Sequence, residues 1–248
     1  MTSSIRLLQH HTELLRASDS HTPREPEPED PHERAEPLGA LKRGELVLAR
    51  GVSNLELSST RSDQLFTAAF EGTAPSISNE KGVLSVKSWR GQGVIKLNER
   101  IPWLLTITGG LSSSHADLRS IDLEGIELRG GVSDTKLELG APKGTLAIQI
   151  RGGAHRLAVI RPAGVAVRAR VGHGATKLTL DTLHLGAVGG EMRWESPDYT
   201  QAKQRVDIDV SGGANELTVA FAHEPTETEH TSKTYSDEVR APKRRGRG

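Results

Sequence analysis

Gly131-Val-Ser-Asp-Thr-Lys-Leu-Glu-Leu139, Gly153-Ala-His-Arg-Leu-Ala-Val159 and Gly174-Ala-Thr-Lys-Leu-Thr-Leu180 are one phrase written three times. Each opens on glycine and runs into alternating apolar residues, and the glycines lie 22 and 21 residues apart (131 to 153, 153 to 174). Self-similarity at a fixed period of this size marks a stacked repeat architecture. Working outward, Gly51-Val-Ser-Asn-Leu-Glu-Leu57 and Gly213-Ala-Asn-Glu-Leu-Thr-Val219 are the same phrase. Gly51, Gly72, Gly93, Gly110, Gly131, Gly153 and Gly174 follow in steps of 17 to 22 residues, and Gly213 comes 39 later, two periods on. The count predicts about eight rungs, the early ones degenerate and one near the end carrying an irregular insertion.

A second alternating run precedes each well-written phrase. Leu146-Ala-Ile-Gln-Ile150, Val165-Ala-Val-Arg-Ala-Arg-Val171 and Val206-Asp-Ile-Asp-Val210 set aliphatic residues against small or charged ones, the period-two pattern of a half-buried strand. Two short strands per rung of about 21 residues follow, with turns at Pro142-Lys-Gly144 and Pro162-Ala-Gly164. The opening glycines suit a corner that needs positive φ or a place where neighbouring backbones crowd. One rung cannot bury enough apolar surface to offset its own ordering, so only stacking makes it stable, and both ends then need caps. Gly189 to Tyr199 is long enough to fold across an end, with Trp194 and Tyr199 on apolar edge, and Trp89 and Trp103 suit the same work earlier. An aromatic ligand site is the alternative reading of these rings.

The Gly-Gly-Ala/Val phrases, the Arg161-Pro-Ala-Gly-Val165 turn and the Gly189-Gly190 to Tyr199 segment resemble the bacterial putative-adhesin or toast-rack family, whose members are stacked β-solenoids. A related domain forms the C-terminal part of LiaF-type cell-envelope stress regulators. The resemblance covers about residues 45–222. It implies an all-β, single-domain β-solenoid and a setting in cell-envelope stress, and it carries over no catalytic residues.

The flanks read differently. Residues 1–44 are expected to be a disordered tail with a short helix at 5–16, because Ser18 to Pro37 is nearly all Pro, Glu, Asp, His, Arg and Thr. Residues 223–248 are expected to be a second disordered tail, ending in the basic Pro242-Lys-Arg-Arg-Gly-Arg-Gly248. That cluster suits weak, non-specific contact with nucleic acid or an anionic surface, and no aromatic residue is interleaved for base stacking. The chain has 0 Cys, which excludes a disulfide scaffold and a thiolate metal site. Lys plus Arg and Asp plus Glu are 32 each, so bulk charge points to neither nucleic acid nor membrane. No apolar run is long enough for a transmembrane helix, and the N-terminal residues are too interrupted for a signal sequence, so a cytoplasmic location is expected.

A search for chemistry yields no catalytic, cofactor-binding or metal residue. Gly172-His-Gly-Ala-Thr-Lys177 lacks the spacing of a phosphate loop and precedes a strand. Gly130 to Asp134 has one acidic residue where calcium-binding repeats need one in every turn. His155 and His173 fall near the corners of adjacent rungs, without further ligands for zinc. Asp207 and Asp209 point outward on one strand, with Arg168 and Arg170 on the strand two rungs earlier. Cross-rung charge pairing is the plain reading, and a two-carboxylate glycan-cleaving face is the minor alternative. The expectation is a non-enzymatic interaction module for an unknown protein partner, with an end-to-end self-assembling structural protein as the alternative.

Overall fold

The computed structural model describes residues 32–222 apart from Ser88 and Arg90. The helix expected at 5–16, the tail before residue 32 and the basic tail at 223–248 lie outside the described residues. Alternation becomes strand throughout: β1 (Glu33–Pro37), β2 (Gly44–Ala49), β3 (Val52–Ser53), β4 (Leu55–Thr60), β5 (Gln64–Phe70), β6 (Ser76–Glu80), β7 (Val83–Lys87), β8 (Gly93–Asn98), β9 (Trp103–Ile107), β10 (Leu111–Leu118), β11 (Leu123–Leu128), β12 (Val132–Leu139), β13 (Thr145–Ile150), β14 (Ala154–Arg161), β15 (Ala166–Val171), β16 (Ala175–Leu180), β17 (Leu183–Val188), β18 (Met192–Glu195), β19 (Arg205–Val210) and β20 (Ala214–Phe221). Among the described residues there is no helix, and so none long and apolar enough to cross a membrane.

Each rung places one strand in each of two facing sheets, with a glycine corner between them. Seven rungs result: β2/β4, β7/β8, β9/β10, β11/β12, β13/β14, β15/β16 and β19/β20. Their parallel ladders stack in a different order from the chain, because one sheet runs β8-β4-β10-β12-β14-β20-β16 and the other β7-β2-β9-β11-β13-β19-β15. The first rung written lies inside the second, and the last is wedged between β13/β14 and β15/β16.

The expectation of about eight rungs in chain order is corrected on two points. Gly72 opens no rung: it sits at φ +85° between β5 and β6, which pair antiparallel with β8 and β7. The two-period gap before Gly213 holds β17 and β18, which pair antiparallel with β16 and β15. Both outermost rungs are therefore capped by reversed strands. A third correction concerns the N-terminal flank, since β1 lies within residues expected to be disordered and pairs antiparallel with β5. Composition there argued against a buried segment, and β1 is indeed mostly exposed; the ladder hydrogen bonds hold it.

The corners explain the glycines. A Cβ on Gly130 would lie 2.5 Å from the Gly109 backbone, one on Gly152 2.6 Å from Gly131 and one on Gly212 2.8 Å from Gly152. The same column is hydrogen-bonded, Gly130 N to Gly109 O at 3.1 Å, Gly152 N to Gly130 O at 3.2 Å and Gly212 N to Gly152 O at 3.0 Å. Crowding, rather than positive φ, requires glycine there. The left-handed backbone falls three residues after the phrase-opening glycine, at Asn54, Ser113, Asp134, Arg156, Lys177 and Glu216, with φ between 48° and 57°. Inside, the aliphatic rows form one continuous core, filled toward one end by Phe66 and Trp103, both at 0% exposure. Trp103 Nε1 donates to the Asn98 carbonyl at 2.8 Å, which satisfies its one polar atom.

Candidate functional site

An open groove follows from the wedged rung. Register places Ser133 beside His155, His155 beside Asn215 and Asn215 beside Thr176, on β12, β14, β20 and β16. Each of these residues follows the glycine corner by two positions, so their side chains line up on the outside of the stack. Thr176 Oγ1 donates to Asn215 Oδ1 at 2.7 Å, the Asn215 side-chain amide lies 2.9 Å from His155 Nδ1, and the Arg156 guanidinium sits on His155 Nε2. Beside this polar spine, Ala187, Val188 and Gly189 raise a lip, and the space enclosed is an open groove of about 790 Å³. His173 also borders it, its Nδ1 donating to the Ser211 carbonyl at 2.8 Å.

A ladder of charge runs next to the spine, on the left-handed residues. In stack order it reads Asp134, Arg156, Glu216, Lys177, so every neighbour has the opposite sign. Arg156 Nε donates to Asp134 Oδ1, and Lys177 Nζ lies 2.8 Å from Glu216 Oε1. The Arg156 guanidinium holds the Asp134 carboxyl below its ordinary range, and Lys177 does the same for Glu216.

On the outer face of the other sheet, β15 and β19 are direct neighbours, pairing Arg168 with Asp207 and Arg170 with Asp209. The expected separation of two rungs is thus corrected to none. Arg170 reaches Asp209 and Glu191 at 3.0 Å each; Arg168 reaches Glu195 at 2.8 Å and Asp207 at 3.9 Å. Tyr199 donates its hydroxyl to Asp207 and lies under the Arg168 guanidinium, 4.2 Å from the ring centroid. Burial, with the Asp207 carboxylate second, pushes the Tyr199 hydroxyl above its ordinary value. The charges that suggested a glycan-cleaving face form a cross-rung network in which each carboxylate faces a cation.

The remaining sequence candidates fall as follows. His155 and His173 do not converge, because the β19/β20 rung separates their rungs. Among the described residues no three His, Cys, Asp or Glu side chains converge as a metal site needs. Lys177 precedes no phosphate-binding helix but lies on β16, paired with Glu216. Trp89 packs on Phe70 with ring centroids 5.2 Å apart, and Trp194 packs against the core from β18. Sequence reasoning missed the spine and Arg161. At the end of β14, Arg161 is 4% exposed and donates Nη2 to Asp181 Oδ2 at 2.7 Å, reaching past β20 from one side of the wedge to the other. A charged residue closing an aliphatic strand was the available signal.

Residues 24–160 match the family described as the N-terminal domain of toast_rack, DUF2154. Among solved structures, a putative cell adhesion protein from Clostridium sporogenes ATCC 15579 is similar at a TM-score of 0.59, with 22% identity over 77% of this chain and 99% of that one. At that identity the likeness is one of fold. No curated protein matches the chain.

Proposed function

The chain belongs to the toast-rack family, and on that premise we propose that it is a non-enzymatic interaction module whose rigid β-solenoid presents the far-end groove to a protein partner. The observation that carries this reading is the spine of Ser133, His155, Asn215 and Thr176, an open row of neutral donors and acceptors beside an apolar lip. Such a surface suits a neutral, extended segment that exchanges hydrogen bonds with the row while apolar side chains meet Ala187. The fold neighbour's description as a putative cell adhesion protein supports a binding role. The cytoplasmic location expected from the sequence, and the cell-envelope stress setting implied by the family resemblance, are parts of the same proposal.

The test is partner capture by the full chain and by His155→Ala/Asn215→Ala. Loss of a partner that the unaltered chain retains, with the circular dichroism spectrum unchanged, is the expected result. An identical set of captured partners would remove the groove from the proposal.

A further inference from the structure

The two sheets have four outer edges among the described residues: β1 and β6 at one end, β17 and β18 at the other. Three are protected as solvent-facing edges usually are. β1 carries Glu33, Arg34, Glu36 and Pro37. β6 ends on Glu80, and its Asn79 amide donates to Glu36 at 2.6 Å, tying the two near edges together. β18 places Arg193 against Glu191 and Glu195 against Arg168. The fourth, β17, reads Leu-His-Leu-Gly-Ala-Val and has no Asp, Glu, Lys, Arg or Pro.

Register with β16 puts Leu183, Leu185 and Val188 on the core side, opposite buried Leu180, Leu178 and Ala175. The core row therefore continues into β17, yet Leu183 remains 39% exposed and Leu185 and Val188 half-buried. An exposed strand of this kind is a template for one more strand.

We infer that β17 docks against the β17 of a second copy, in a closed two-fold dimer. Charge and shape select this occupant. A head-to-tail stack would bring β17 against the charged and proline-bearing near edges. The C-terminal residues 223–248 offer Tyr235 and Val239 as their only large apolar side chains, which cannot extend a row of Leu, Leu and Val. A second β17 supplies that same row with no like charges opposed. Two identical strands pair antiparallel about an axis perpendicular to the sheet, so core side meets core side, and the contact is isologous. With one such edge per copy, growth stops at two.

The experiment is light scattering on the full chain over a wide concentration range, beside Leu183→Lys, Gly186→Lys and Ala35→Lys. Gly186 has open space where a side chain would start, so its substitution tests the edge without disturbing the fold. The expected result is a mass that rises to two copies and no further. Each β17 substitution should weaken association by about tenfold or more, since it sets a charge near its own symmetry mate, while Ala35→Lys leaves it unchanged. A monomer at every concentration, growth beyond two copies, or a dimer indifferent to both β17 substitutions would overturn the inference. So would concentration-independent hydrogen-exchange protection of the Leu183–Val188 amides, which would place a segment of the same chain on the edge. None of these readouts depends on the groove, and partner capture by a dimerless Gly186→Lys chain separates the two proposals.

Discussion

The two ends of the stack share a topology and differ in finish. At the far end the chain jumps outward over one position, is capped by antiparallel strands, and a later rung fills the gap; at the near end the same path runs in reverse, caps first, then the outermost rung, then an inward jump over the earlier β2/β4 rung. The near-end cap is built as core: β5 buries Leu65, Phe66, Ala68 and Phe70, and Leu38, Leu41 and Ile77 pack beyond it. The far-end cap β17 buries none of its six residues, and its wedge is instead spanned by the Arg161–Asp181 ion pair. One end is sealed by apolar volume and the other is fastened by a charged clasp, which leaves the second end available for contact.

That contrast can be broken most severely at the near end. Phe66→Ala empties a fully buried site and is expected to cost about 4 kcal/mol by urea unfolding, because the neighbouring strands relax only partly. Next comes the clasp: Arg161→Met leaves Asp181 uncompensated and should cost about 3 kcal/mol, whereas Arg161→Met with Asp181→Leu should return to within about 1 kcal/mol of the unaltered chain. The recovery is expected because the pair holds three buried atoms without partners, Arg161 Nε, Arg161 Nη1 and Asp181 Oδ1. A double variant no more stable than the single one would show that the clasp stabilises in its own right. Leu185→Ala, on the open cap, should cost only about 1 kcal/mol, and a value near that of Phe66→Ala would erase the difference between the ends.

The smallest effect is a pH effect. Asp117, Asp134, Glu138, Glu191 and Glu216 are all held below the ordinary carboxylate range, led by Arg119, Arg156, Lys136, Arg170 and Lys177 respectively. A lowered folded value means stability that is present above the unfolded value, about pH 4, and lost as pH falls through the folded one. All five lie from β10 onward, so residue-resolved hydrogen exchange should show acid loosening the middle and far end before the near end. Uniform loosening would contradict this. The pairs are exposed, and solvent screening keeps the effect slight.

Much of the fold was legible. Period-two alternation reports which side chains face in, and it gave both strands of the rungs β13/β14, β15/β16 and β19/β20, together with β4 and β12; β9, β10 and β11 were not legible as alternating runs. The glycine corners were legible as crowded or strained positions, and the Gly189 to Tyr199 segment as a cap. Rung order was not, because the pattern of inward residues says nothing about which rung lies next. The missing signal was charge. In chain order the third residue after the glycine would set Arg156 against Lys177, whereas inserting Glu216 between them alternates the signs. The groove stayed hidden for the same reason, since His155, Asn215 and Thr176 become neighbours only through that insertion. The near-end caps were missed because β5 and β6 run at the repeat's own spacing and yet reverse direction.

The wedged last rung also decides how the molecule bears tension. In a solenoid whose chain ends at its outermost coil, a pull on the terminus peels coils away singly, each held along one seam. Here β20 is held along both edges, by β14 on one side and β16 on the other. Load applied between Ala222 and the body of the stack must shear two seams together, so detaching β20 should give one high force peak rather than the low one of a strand held along a single seam.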